Sequence, residues 1–102
     1  MSLAVYKLTA GFPDSERFGL TNQMRRASVS VASNIAEGYG KSTRGEYINF
    51  LGHARGSNGE LQTKLVIADG LGFRSQHELH AAQTLSEEVG RMLVVMLRKL
   101  KG

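Results

Sequence analysis

Apolar residues recur at helical spacing along most of the chain. From Leu20 onward they fall at Leu20, Met24, Ala27, Val31 and Ile35, separated by four, three, four and four positions. That spacing traces one face of a helix and predicts a helix from Leu20 to Tyr39. Gly38 and Gly40 supply its end, because glycine enters the left-handed conformation of a helix C-terminus without a Cβ clash. A second stripe of Tyr47, Phe50, Leu51, Ala54, Leu61, Leu65, Ala68 and Leu71 predicts a helix of about 28 residues, roughly 42 Å long. Thr43 and Glu46 stand at capping-box spacing at its start, and Gly70 and Gly72 close it. A third stripe of Leu79, Ala82, Leu85, Val89, Met92, Leu93, Met96 and Leu100 predicts a last helix, opened by a second capping box from Ser75 to Glu78. Val5 to Leu8 read as the last turns of a first helix, with Thr9 to Ser15 as a loop broken by Gly11 and Pro13.

No proline follows Pro13, as long helices require. Short connections make successive helices antiparallel neighbours. The expected architecture is therefore all-α: an antiparallel up-and-down four-helix bundle with a shortened first helix, forming one domain over residues 1–102. Residues 1–10 supply only about two and a half turns, too few to cover helices roughly 30–40 Å long. The open groove calls for a longer first helix or for another subunit. Gly52, Gly56 and Gly59 each cost the third helix about 1 kcal/mol against alanine. Close approach of another helix or a bend would compensate; otherwise the helix is locally weak.

Composition narrows the chemistry. The 102 residues are 41% hydrophobic and 22% charged, which excludes a disordered chain. There is no cysteine, so disulfides, thiolate metal sites and cysteine nucleophiles are excluded. No run approaches the roughly 18 apolar residues of a membrane helix, and the expected location is the cytoplasm. The net charge is +4, and Arg91, Arg98, Lys99 and Lys101 follow one another with no acid among or after them. Arg25 with Arg26, and Lys41 with Arg44, form further basic groups. Such groups suit a polyanion; cations in a last helical turn also simply complement the helix dipole.

Three arrangements imitate active sites. Gly38-Tyr39-Gly40-Lys41-Ser42 ends like a phosphate-binding loop, but Ile35 stands where that motif needs its first glycine, and a helix precedes it rather than a strand. His77 and His80 share a helical face without the third ligand that zinc needs, and His53 borders the third helix's stripe. No spacing ties serine, histidine and acid into a triad, and no inward Glu-x-x-His pair is present. We read no enzyme, metal or cofactor here. The second helix carries an unusual outer face of Asn22, Val29, Ala32, Ser33 and Ala36, which is small and uncharged where an outer face is ordinarily charged. It suits either a subunit interface or a helix central to its own bundle.

Several segments together carry a resemblance: Phe12-Pro13, Phe18-Gly19-Leu20-Thr21, Gln23-Met24-Arg25-Arg26-Ala27, Ser33-Asn34-Ile35-Ala36-Glu37-Gly38, Glu46-Tyr47-Ile48 and Ala54-Arg55-Gly56-Ser57. The chain resembles the bacterial four-helix-bundle proteins encoded in intervening sequences of large-subunit ribosomal RNA genes. The resemblance implies a ring-like homopentamer and no known catalysis. It extends to accessory subunits of diversity-generating retroelements, and so suggests RNA or DNA as partner. It also gives Ser33, Asn34, Glu37 and Gly38 a structural role, with Glu37 near the buried side and paired with an arginine or helix-terminal amides. The family's first helix is longer, and the family often has proline where Ala32 stands. The expected function is a non-enzymatic oligomer that contacts phosphates through Arg25, Arg26, Lys41, Arg44, Arg55, Arg91, Arg98 and Lys99. The alternative is a protein-interaction scaffold with no nucleic-acid role.

Overall fold

The computed structural model describes residues 1–72 and 76–102. Four helices follow one another: α1 (Ser2–Ala10), α2 (Leu20–Tyr39), α3 (Arg44–Leu71) and α4 (Gln76–Lys101), with a 3₁₀ turn at Asp14–Glu16. The α2 and α3 bounds are those the apolar stripes predict. The first helix reaches further than expected: Thr9, read as loop, lies inside α1 and is buried, its hydroxyl donating to the Val5 carbonyl at 2.8 Å. Ser75, the expected cap of α4, lies outside the described residues.

The core shows the topology. In one half, Leu20, Met24 and Ala27 of α2 pack with Leu61, Leu65 and Ala68 of α3, with Leu79 and Ala82 of α4, and with Val5 and Leu8 of α1. In the other half, Val31 packs with Leu51, Ala54, Leu93 and Leu97. The start of α2 thus meets the end of α3 and the start of α4, which makes the long helices antiparallel. α1 lies beside α2 and α4, and closes one half of the bundle. Met1 reaches both clusters, so the half beyond it is built from three helices.

Polar groups staple the helices as well. Asn58 and Ser86 are buried at 2% and 0% exposure. The Ser86 hydroxyl donates to Asn58 Oδ1 at 2.8 Å, and Asn58 Nδ2 donates to the Ser86 carbonyl at 2.9 Å. This two-way bond replaces an apolar contact between α3 and α4. Ser30 and Ser57 join α2 to α3 at 2.8 Å through their hydroxyls.

The structure corrects several local expectations. Gly40 caps α2 at φ −83°, in the right-handed region. Gly38 is needed for space instead: a Cβ there would lie 2.9 Å from Phe50 Cβ and 3.0 Å from Tyr47 Cδ1. Gly72 does end α3 in the left-handed region, at φ 72°. Gly52, Gly56 and Gly59 leave α3 unbroken, and a Cβ on any of them would meet nothing within 4 Å, so among the described residues no helix packs closely on them. Thr43 caps α3 by accepting from the Glu46 amide at 3.2 Å, while its hydroxyl donates to the Glu46 carboxylate at 2.9 Å. Leu71 and Met92, assigned to core stripes, are 54% and 48% exposed. Leu97 and Ser86 hold core positions in α4 instead.

Candidate nucleic-acid interface

Antiparallel packing sorts the basic side chains into three places. The first is one end of the bundle. Leu97 and Leu100 of α4 join Ile35, Tyr47 and Ile48 in the same core cluster, so the C-terminus of α4 lies beside the α2–α3 corner. Lys41 and Arg44 from that corner share this end with Arg98, Lys99 and Lys101, all exposed. Glu37 and Glu46 are the acids on the same turns. Asp14, Glu16, Asp69 and Glu78 fall towards the opposite end, at the end of α3 and the starts of α2 and α4.

The corner is built by close packing. Gly38 lets α2 run against Phe50 and Tyr47. The chain then turns, with the Lys41 amide donating to the Gly38 carbonyl at 3.1 Å. Lys41 Nζ stands 5.1 Å from the centre of the Phe50 ring and 3.9 Å from Glu37 Oε2. Glu37 is therefore exposed and paired with a lysine, not near the buried side and paired with an arginine or helix-terminal amides as the resemblance implied. Ser33 is exposed too, and Asn34 turns back on its own helix, donating to the Ser30 carbonyl at 2.8 Å. Arg44 begins α3, where a cation opposes the positive end of the helix dipole. Helix stability gives no reason for it there. Arg98, Lys99 and Lys101 end α4, where the dipole favours them.

The second place is the groove between α3 and α4. Arg55 and Arg91 line it with Gly59, Glu87, Gly90 and Val94, around a cavity of about 560 Å³. The third is the α1–α2 face. There Arg25 Nε donates to Thr9 Oγ1 at 2.8 Å, and Arg26 beside it is exposed. The eight arginines and lysines singled out in the sequence therefore do not form one surface.

The outer face of α2 expected to be uncharged is open, and Arg25 and Arg26 stand on it beside Asn22 and Val29. Asn22, Ala32, Ser33 and Ala36 are exposed and Val29 is 44% exposed. Among the described residues no other helix covers it, which removes the reading of α2 as a helix central to its own bundle. His53, His77 and His80 are exposed, and no group of three metal-ligating side chains occurs among the described residues. No helix among those residues is long and apolar enough to cross a membrane.

Fold and surface together define the class: a small antiparallel helical-bundle protein with one basic end. Within that class the chain belongs to the 23S rRNA-intervening sequence protein family, whose model matches residues 1–95. Among solved structures it is similar to a protein of unknown function from the S23 ribosomal protein family of Bacteroides thetaiotaomicron. That similarity has a TM-score of 0.85 at 18% identity, covering 95% of this chain and 88% of the other, and shows the shared fold. No curated protein matches the chain.

Proposed function

We propose that this protein is a non-enzymatic oligomeric bundle that binds RNA or DNA through phosphate contacts at its basic end. The observation that carries the reading is the gathering of Lys41, Arg44, Arg98, Lys99 and Lys101 at one end by antiparallel packing. Sequence places Arg44 and Arg98 far apart; the fold brings them to one end. Arg44 sits against its own helix dipole, so local helix stability does not account for it. Contacts of this kind position a backbone and carry little base specificity.

A second reading has its own observation. The exposed small residues Ala32, Ser33 and Ala36 of α2, beyond the arginines, suit a subunit contact, since small side chains let another helix approach closely. The pentamer implied by the family resemblance belongs here. On this reading the protein is a protein-interaction scaffold, and the two readings are compatible.

The test is fluorescence anisotropy with a structured RNA and a duplex DNA at roughly 50 and 200 mM salt, a range that strongly weakens phosphate contacts. Binding that collapses at the higher salt supports the proposal. A flat salt response, or no binding at either salt, leaves the scaffold.

A further inference from the structure

The cleft between α1 and α2 lies apart from the basic end, and its central cation is held by neutral partners. Arg25 is half-buried. Its Nε donates to Thr9 Oγ1 at 2.8 Å, and its guanidinium carbon stands 4.6 Å from the centre of the Tyr6 ring. Thr9 gives its own proton to the Val5 carbonyl at 2.8 Å, so Arg25 meets a hydroxyl lone pair. A hydroxyl and a ring orient the guanidinium without neutralising it. The Nη groups at the end of the fork remain as donors, and no carboxylate pairs with Arg25 among the described residues. Arg26 is the next residue, exposed and likewise without an ion pair among those residues. Tyr6, Asn22, Arg25, Arg26, Val29 and Ser30 line a cleft of about 600 Å³, and none of them is acidic.

We propose that this cleft binds a phosphate monoester or free phosphate as a dianion. A guanidinium fork matches two phosphate oxygens at once, and one already oriented by packing loses less freedom on binding than a loose one. Asn22 adds a neutral amide. A phosphodiester in a nucleic-acid backbone carries one negative charge, whereas a terminal phosphate carries about −1.5 to −2 at neutral pH. Two guanidiniums in a cleft lined by no acid favour the latter; Glu60, in the adjoining groove that Arg26 also borders, is paired with Lys64. The ligand has two sources with the same chemistry: a small phosphate in solution, or the 5′-terminal phosphate of an oligonucleotide.

The site stands whether or not the basic end binds nucleic acid, and the experiment separates the two. Inorganic phosphate is titrated calorimetrically into the wild type, Arg26→Gln, Thr9→Val and the double variant Lys41→Gln/Arg44→Gln. Saturable binding is expected, weakened roughly tenfold by Arg26→Gln, the scale of losing one hydrogen bond to a charged group. Thr9→Val keeps both arginines but frees Arg25, and weakens binding as well. The double variant at the basic end binds phosphate as the wild type does. If Thr9→Val fails to fold, Arg26→Gln still decides, because its side chain is exposed. No saturable binding by the wild type, or equal affinity in Arg26→Gln, overturns the proposal. An anisotropy comparison of 5′-phosphorylated and 5′-hydroxyl oligonucleotides then names the source. Tighter binding of the former, lost in Arg26→Gln, assigns the site to a nucleic-acid end; equal binding assigns it to a small phosphate.

Discussion

Asn58 illustrates how a single residue escapes a hydrophobic pattern. It occupies a core position of α3, between Ala54 and Leu61 in helical register, yet it is polar. Its partner Ser86 is 28 positions away, so only the fold makes the pair visible. Removing one partner strands a buried donor or acceptor, at a cost of about 1–3 kcal/mol. Asn58→Ala and Ser86→Ala are each expected to destabilise by that amount in urea titration. Their double variant should lose less than the sum, because the two share one interaction. Strict additivity would deny the coupling. Gly38 is the other residue whose role changes on folding. The sequence marks it as a helix end, but it serves as a contact point for Phe50 and Tyr47. Gly38→Ala is expected to destabilise by about 1–3 kcal/mol through overpacking, read as a lower urea midpoint. An unchanged midpoint would show that the corner gives way easily.

At the scale of elements, the long helices were legible because their apolar positions keep a period near 3.6 over many turns. The bounds of α2 and α3 followed from that pattern and from flanking glycine and threonine. Register within α4 was less legible. Its stripe is broad enough that Met92 and Leu97 compete for the inward side, and packing against Leu51 and Ala54 chooses Leu97. The position of the α2 C-cap at Gly40 was legible, but its right-handed conformation was not, and Gly38 serves close approach instead. α1 is the element with least support from local propensity, since isolated helices below about 12–15 residues are marginal in water. Its nine residues are held by Val5, Leu8 and the Thr9–Arg25 bond. Leu8→Ala is expected to cost about 2–5 kcal/mol. Hydrogen exchange should find α1 amides less protected than those of α3 near Leu61. Equal protection across both would mean that α1 opens only with the whole bundle.

At the scale of the molecule, charge is arranged along the long axis. The bundle measures 43 × 22 × 17 Å. Its length is several times the Debye length of about 8 Å at physiological salt, so acids at the opposite end do not cancel the basic end. The sequence showed the basic groups separately but not which of them would meet. Distance along a helix says nothing of which turns a neighbour lies beside. Arg55 with Arg91, and Arg25 with Arg26, proved to face elsewhere. A +4 net charge is modest for one chain, but repeated around an oligomer it becomes a strong field. Light scattering at micromolar concentration is expected to give a mass several times 11.1 kDa. A monomer would remove that amplification and the exposed α2 face as a contact.

The most direct test of the central claim is the salt dependence of duplex binding for the wild type beside a variant with Lys41, Arg44, Arg98 and Lys99 all changed to glutamine. The wild type is expected to lose affinity steeply as salt rises. The variant should bind weakly, with a slope shallower by about 0.9 for each phosphate contact removed. Identical affinity and slope in the two proteins would contradict a nucleic-acid interface at the basic end of the bundle.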